Sequence, residues 1–191
     1  MRSLPELKTR IDVKFVIAAL AAIALSGCLV SEEPILTEKN GKARPLKAGG
    51  YQSCAIADDG SLEDCELLIV ARTDDRSYLV ESDEQEPTTG LRFRRVKRKS
   101  YVAQMQENDG YAYYYAAGDR NRLTLTMMEC PDLPADLRAT LIENGDLASD
   151  DADYEFCTVL SLKGLTEVGR AYADGEIEND SPLSLVLTAQ E

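Results

Sequence analysis

Between Tyr51 and Glu129 the chain is broken into short runs by polar turn signatures: Asp58-Asp59-Gly60, Thr73-Asp74-Asp75-Arg76, Glu107-Asn108-Asp109-Gly110 and Gly118-Asp119-Arg120-Asn121. Connections this short cannot hold a crossover helix, so consecutive runs must pair antiparallel. The runs at 51–57, 66–73, 77–82, 91–98, 101–106, 111–117 and 122–129 are therefore predicted strands of one meander.

After Cys130 the periodicity changes. Asp132 precedes Pro134 near a first helical turn, Leu137, Leu141 and Ile142 follow at helical spacing, and Asn144-Gly145 stops the helix. Residues 154–160 read as one more strand. Ser161 caps a second helix whose stripe is Leu162, Leu165, Val168 and Tyr172, ending near Gly175. Residues 176–191 are an acidic run followed by SPLSLVLTAQE, either a tail or a final edge strand. This order predicts an α+β domain over 49–175: an antiparallel β-meander of six or seven strands with two helices packed on one face.

Pairing Gln106 with Tyr111 and Ala117 with Arg122 sorts the meander into two faces. Tyr101, Ala103, Met105, Ala112, Tyr114, Ala116, Leu123, Leu125 and Met127, with Leu91 and Phe93, form the apolar face expected beneath the helices. The other face carries Tyr111, Tyr113, Tyr115 and Gln104, with Arg92 and Arg94 at its side. A tyrosine offers a flat ring with a hydroxyl, and an arginine offers a fork for carboxylate or phosphate. These six residues are the candidate binding surface for an envelope glycan or a protein partner, unless the tyrosines are simply strand formers on a half-wet face.

The N-terminus has a different character. Arg2, Lys8, Arg10 and Lys14 precede the apolar run FVIAALAAIAL, 11 residues from Phe15 to Leu25. A spanning helix needs about 20 such residues, so this run reads as a secretory signal rather than a span. It leads into Leu25-Ser26-Gly27-Cys28, a quartet that resembles the lipobox of bacterial lipoproteins. The resemblance implies cleavage after residue 27 and acylation of Cys28, which anchors the chain to a membrane through lipid. Leu29 follows the cysteine where inner-membrane lipoproteins usually carry Asp, which is similar to outer-membrane cargo of a Gram-negative cell. Residues 28–48, with Pro34, Pro45, Gly49 and Gly50 in or beside them, read as a flexible tether. The tether is locally basic at Lys39, Lys42, Arg44 and Lys47, either as a solvated linker or in contact with phosphate headgroups.

Outside the cytosol, cysteines oxidise. With Cys28 acylated, Cys54, Cys65, Cys130 and Cys157 remain, an even number. The local pairing Cys54–Cys65 and Cys130–Cys157 is expected, each bridge contributing roughly 3 to 3.5 kcal/mol by chain entropy. Free buried thiols are the alternative. A zinc site would need a CxxC pair or histidine, and the chain has neither.

The 34 acidic against 21 basic residues give a net charge of −13, which excludes a general nucleic-acid binder. Removing residues 1–27 takes the net charge to −15. The exception is Arg92 to Lys99, with six basic residues in eight, set against residues 129–191, which hold 15 acidic and three basic groups. Either the two complement each other within the fold or the basic run meets a partner.

Catalytic and cofactor motifs are missing. Zero histidines remove every His-based triad or general base. There is no GxSxG, GxGxxG or P-loop, so neither a catalytic set nor a cofactor is assigned. Asp146, Asp150, Asp151, Asp153 and Glu155 lack the spacing of a calcium loop, so no metal is assigned. Lys163 beside Ser161 reads as a helix start rather than a Ser–Lys dyad. The expectation is an envelope lipoprotein serving as a binding or accessory module, with a carboxylate-dependent envelope hydrolase as the alternative.

Overall fold

The tight turns do set strands side by side, but the sheet they make is larger than expected and it closes. The computed structural model describes residues 27–57, 59–82, 88–107, 110–149, 156–177 and 184–190. In chain order the strands are β1 (Leu29–Ser31), β2 (Gly49–Ile56), β3 (Leu62–Arg72), β4 (Tyr78–Ser82), β5 (Thr88–Lys97), β6 (Ser100–Glu107), β7 (Gly110–Gly118) and β8 (Arg122–Met127). Then come α1 (Ala135–Glu143), β9 (Leu147–Ala148), β10 (Cys157–Val159), α2 (Leu162–Asp174) and β11 (Ser184–Ala189).

The expected α+β meander of six or seven strands is therefore corrected to a mostly β architecture. Eleven strands share one mixed sheet, in the order β6-β5-β4-β3-β2-β11-β8-β7-β1-β10-β9, accompanied by two helices. A further β6–β7 pairing joins β6 to β7 and closes a ring of eight antiparallel strands. The missing strand was in the supposed tail: β11 lies between β2 and β8, pairing Leu187 with Ser53 on one side and Leu123 on the other. It is a central strand rather than an edge, and without it the ring stays open.

Closure explains the faces. The partition into two faces holds, because Gln106 does pair with Tyr111. At the next turn Ala117 pairs with Thr124 instead of Arg122, and a slip of two residues leaves every side chain on its own face. The set around Tyr101, Ala103, Tyr114, Ala116, Leu123 and Leu125 fills the barrel interior with Tyr51, Val70, Tyr78, Phe93 and Leu187. An eight-stranded ring is just wide enough for its own side chains to fill. The helices pack on the opposite face, where α2 sets Leu165, Val168, Ala171 and Tyr172 against Val102, Tyr113, Tyr115 and Met128.

Local signals placed the helices well. Ser161 accepts a hydrogen bond from Gly164 N–H at 3.0 Å, and Gly175 ends α2 with a left-handed φ of 74°. A Cβ on Gly169 would come within 2.2 Å of Val102 Cγ1, so α2 meets the sheet closely at that position. Both disulfides are present, Cys54–Cys65 within the β2–β3 hairpin and Cys130–Cys157 fastening β10 beside the barrel.

The flexible tether expected at 28–48 is also corrected, because this segment is packed. β1 extends the β7 edge where β8 stops, pairing Val30 with Ala112, and β10 runs parallel to β1. Leu36 is wholly buried on the helix side, Ala43 bridges Phe93 beyond the start of β4, and Leu46 is wholly buried in the barrel interior. The segment's prolines and glycines bend it around the barrel while Leu36 and Leu46 hold it there. The signal segment, residues 1–26, lies outside the described residues. Among the described residues no helix is long and apolar enough to cross a membrane.

Candidate functional site

The expected binding face is mostly interior. Tyr113 is 0% and Tyr115 7% exposed. Tyr115 stacks on Tyr172 of α2 at 5.3 Å, and its hydroxyl donates to Ser100 Oγ at 3.1 Å. Gln104, 1% exposed, works as a clasp: its Oε1 accepts from Leu36 N–H at 2.6 Å and its Nε2 donates to Leu36 C=O at 3.1 Å. In this way a side chain copies one step of strand pairing and holds the N-terminal segment. The Tyr113 hydroxyl bonds to Ser31 Oγ, and burial pushes its pKa up to about 12. Arg94 reaches Asn40 C=O at 3.2 Å under the same segment. The tyrosine ladder is thus a second core, and sequence alternation alone cannot tell a wet face from one covered by a helix.

Three of the six candidates, Arg92, Gln104 and Tyr111, do converge on a groove of about 490 Å³. Its walls are the segment 34–38, the turn 73–77 between β3 and β4, and strands β5, β6 and β7. Arg92 lines the groove, ion-pairs with the Asp75 carboxylate and donates from Nη1 to Asp75 C=O at 2.6 Å. Asp75 is fixed in turn by the hydroxyls of Thr73 and Ser77 and by Ser77 N–H at 3.2 Å. These hydroxyl bonds, and then Arg92, hold its carboxyl well below the usual carboxylate range. Asp75 is therefore a fixed anion at neutral pH and not a proton donor. Thr73, Asp75 and Ser77 were not singled out from sequence, where Thr73 and Asp75 read only as a turn and Ser77 as the start of a strand; the signal was the hydroxyl on either side of the carboxylate.

The acidic loop has one described member, Asp146, which has a structural role. It accepts from Ser161 Oγ and pairs with Lys163 Nζ at 2.8 Å. The same carboxylate engages both hydroxyl and amine, so these groups do not face each other as nucleophile and base. Asp150, Asp151, Asp153 and Glu155 lie outside the described residues. Among the described residues, Lys97 pairs with Asp174 of the acidic half, whereas Arg92 and Lys99 pair with Asp75 and Asp119.

Cys28 sits at one end of the barrel, 1% exposed, bridging Glu129, with its thiol 2.8 Å from Met127 Sδ. Burial, then Glu129 and Glu107, pushes its pKa up to about 11. Its thiol in the folded chain is therefore a poor nucleophile.

No protein-family model, curated protein or solved structure matches this chain. The two disulfides fit a domain that folds in an oxidising, extracytoplasmic space.

Proposed function

We propose that this chain is a bacterial envelope lipoprotein, acylated at Cys28, whose barrel is a binding module for an envelope polymer or partner protein. The Leu25-Ser26-Gly27-Cys28 quartet behind a short apolar run supports the anchor, and Leu29 supports the outer membrane of a Gram-negative cell. Acylation must precede folding, because the folded thiol is enclosed and held protonated. The lipidated side chain then lies outside the pocket beside Met127, since several acyl chains cannot enter a site sized for one thiol.

The observation that carries the binding role is the groove at Arg92. A guanidinium locked to a braced carboxylate, with Tyr111, Thr37 and Glu38 on the walls, makes a preset array of donors and acceptors beside an aromatic ring. That suits hydroxyl- and amide-rich chains such as glycan strands and their peptides.

Labelled palmitate should enter the wild-type chain and not the Cys28→Ser variant, which should leave the membrane fraction. Immobilised protein should retain soluble peptidoglycan fragments, with retention reduced about tenfold in Tyr111→Ala and Arg92→Ala. Unlabelled protein would remove the anchor, and unchanged retention in both variants would remove the groove.

A further inference from the structure

We propose that the barrel end opposite Cys28 is a second binding site, for a phosphate group carried on a compact hydroxylated scaffold. The site is a cleft of about 380 Å³ between the segment 44–47 and the β7–β8 turn, with Arg44, Lys47, Arg95 and Arg120 on its walls. The strand register gives its position. β6 begins and β7 ends at this end of the barrel, whereas Cys28 lies where β7 begins and β8 ends.

The charge is unbalanced in a telling way. None of the ion pairs among the described residues includes Arg44, Lys47, Arg95 or Arg120. The one carboxylate on the walls, Asp119, is already paired with Lys99 at 2.8 Å. In a chain of net charge −13, four cations that have no ion-pair partner among the described residues make a local positive field that suits an external anion. Two or more guanidinium forks favour phosphate, which accepts bidentate bonds and carries up to two charges, over a single carboxylate. The volume exceeds one phosphate and leaves room for a sugar or glycerol unit.

The cleft is held rigidly from within the barrel. The Tyr51 ring is buried in the core, and its hydroxyl joins the two walls, accepting from Lys47 N–H at 2.9 Å and donating to Arg120 C=O at 3.2 Å. Between those walls Leu46 is anchored inward, and its C=O accepts from the Tyr78 hydroxyl at 3.0 Å and from Arg72 at 2.8 Å. Arg95 stands over the Tyr101 ring at 5.8 Å, which restricts its guanidinium. Tyr51 is thus a positioning residue. This site does not depend on the groove at Arg92 or on acylation.

The test titrates the full chain with glucosamine 1-phosphate and with glucosamine. In parallel, the Cys28→Ser chain, which carries no acyl anchor, is floated with vesicles of phosphatidylcholine alone or with one part in five of phosphatidylglycerol. Binding of the sugar phosphate and not the sugar, weakened about tenfold or more in Arg44→Ala/Arg120→Ala, supports a soluble phosphorylated ligand. Binding only to the anionic vesicles, with the same dependence on these two residues, supports a lipid headgroup. Tyr51→Phe keeps every charge, so a fall in affinity with the melting transition retained distinguishes a built site from general attraction. The proposal is overturned if neither probe binds, or if Tyr51→Phe and the double variant bind as wild type. It is also overturned if Arg92→Ala, outside this cleft, weakens binding as much as the double variant does.

Discussion

Gln104 shows how one side chain can hold a whole segment. It satisfies both backbone groups of Leu36, which is wholly buried. Gln104→Leu should cost about 2 to 4 kcal/mol, since two buried polar groups lose their partners. Urea unfolding would measure this, and limited proteolysis should then cut between residues 31 and 45. Asp146 gives a pH dependence of definite sign. Lys163 and then Ser161 lower its pKa below the ordinary value of 3.8, so its contribution is complete above that value and is lost as pH falls through the lower folded value. Wild type should melt above Asp146→Asn at pH near 7, and the gap should start to close only below about pH 4 and vanish once pH is under the lowered folded value. Equal melting temperatures at neutral pH would show that the carboxylate contributes nothing.

At the level of elements, α2 depends on Gly169. Gly169→Ala should gain about 1 kcal/mol in helix propensity. Against this stands a contact of 2.2 Å with Val102 Cγ1, and Val102 is wholly buried and cannot give way. Overpacking of this kind costs about 1 to 3 kcal/mol, so the variant should be net destabilised, and Val102→Ala should restore part of the loss in a double-mutant cycle. Additive effects of the two substitutions would refute the contact. Both helices were legible because their signals are local: the Ser161 cap, the stripe through Leu165 and Val168, and the stop at Gly175. Strands β2 to β8 were legible for the same reason. β1 and β9, of three and two residues, are too short to carry a period. β11 has the apolar run of a strand, but nothing local says that it belongs between β2 and β8. The site failed at the same step. Alternation sorted Tyr113 and Gln104 correctly from Tyr114 and Ala103, yet which face is wet depends on ring closure and on where α2 lands. The cleft at Arg44 and Arg120 joins residues far apart in sequence, so it needed the fold to be seen.

The charges of the described residues are uneven along the barrel, although Asp174 and Asp119 pair with Lys97 and Lys99. Glu32, Glu33, Glu107 and Glu129 gather near Cys28, and Arg44, Lys47, Lys97, Lys99, Arg120 and Arg122 gather at the other end. With β1 starting one residue after Cys28, an acylated chain has no slack, so the domain should sit on the bilayer in one orientation. A lipid-borne quencher should extinguish a fluorophore at position 33 and spare one at position 99; equal quenching would mean the domain tumbles. The placement of β11 also bears on how the molecule is made. A polypeptide threaded N-terminus first through a translocation channel exposes ten strands before the last stave arrives. Until then β2 and β8 keep bare margins and the interior stays wet. A product arrested short of residue 184 leaves the ring open, so proteases should clear it faster than the full-length chain.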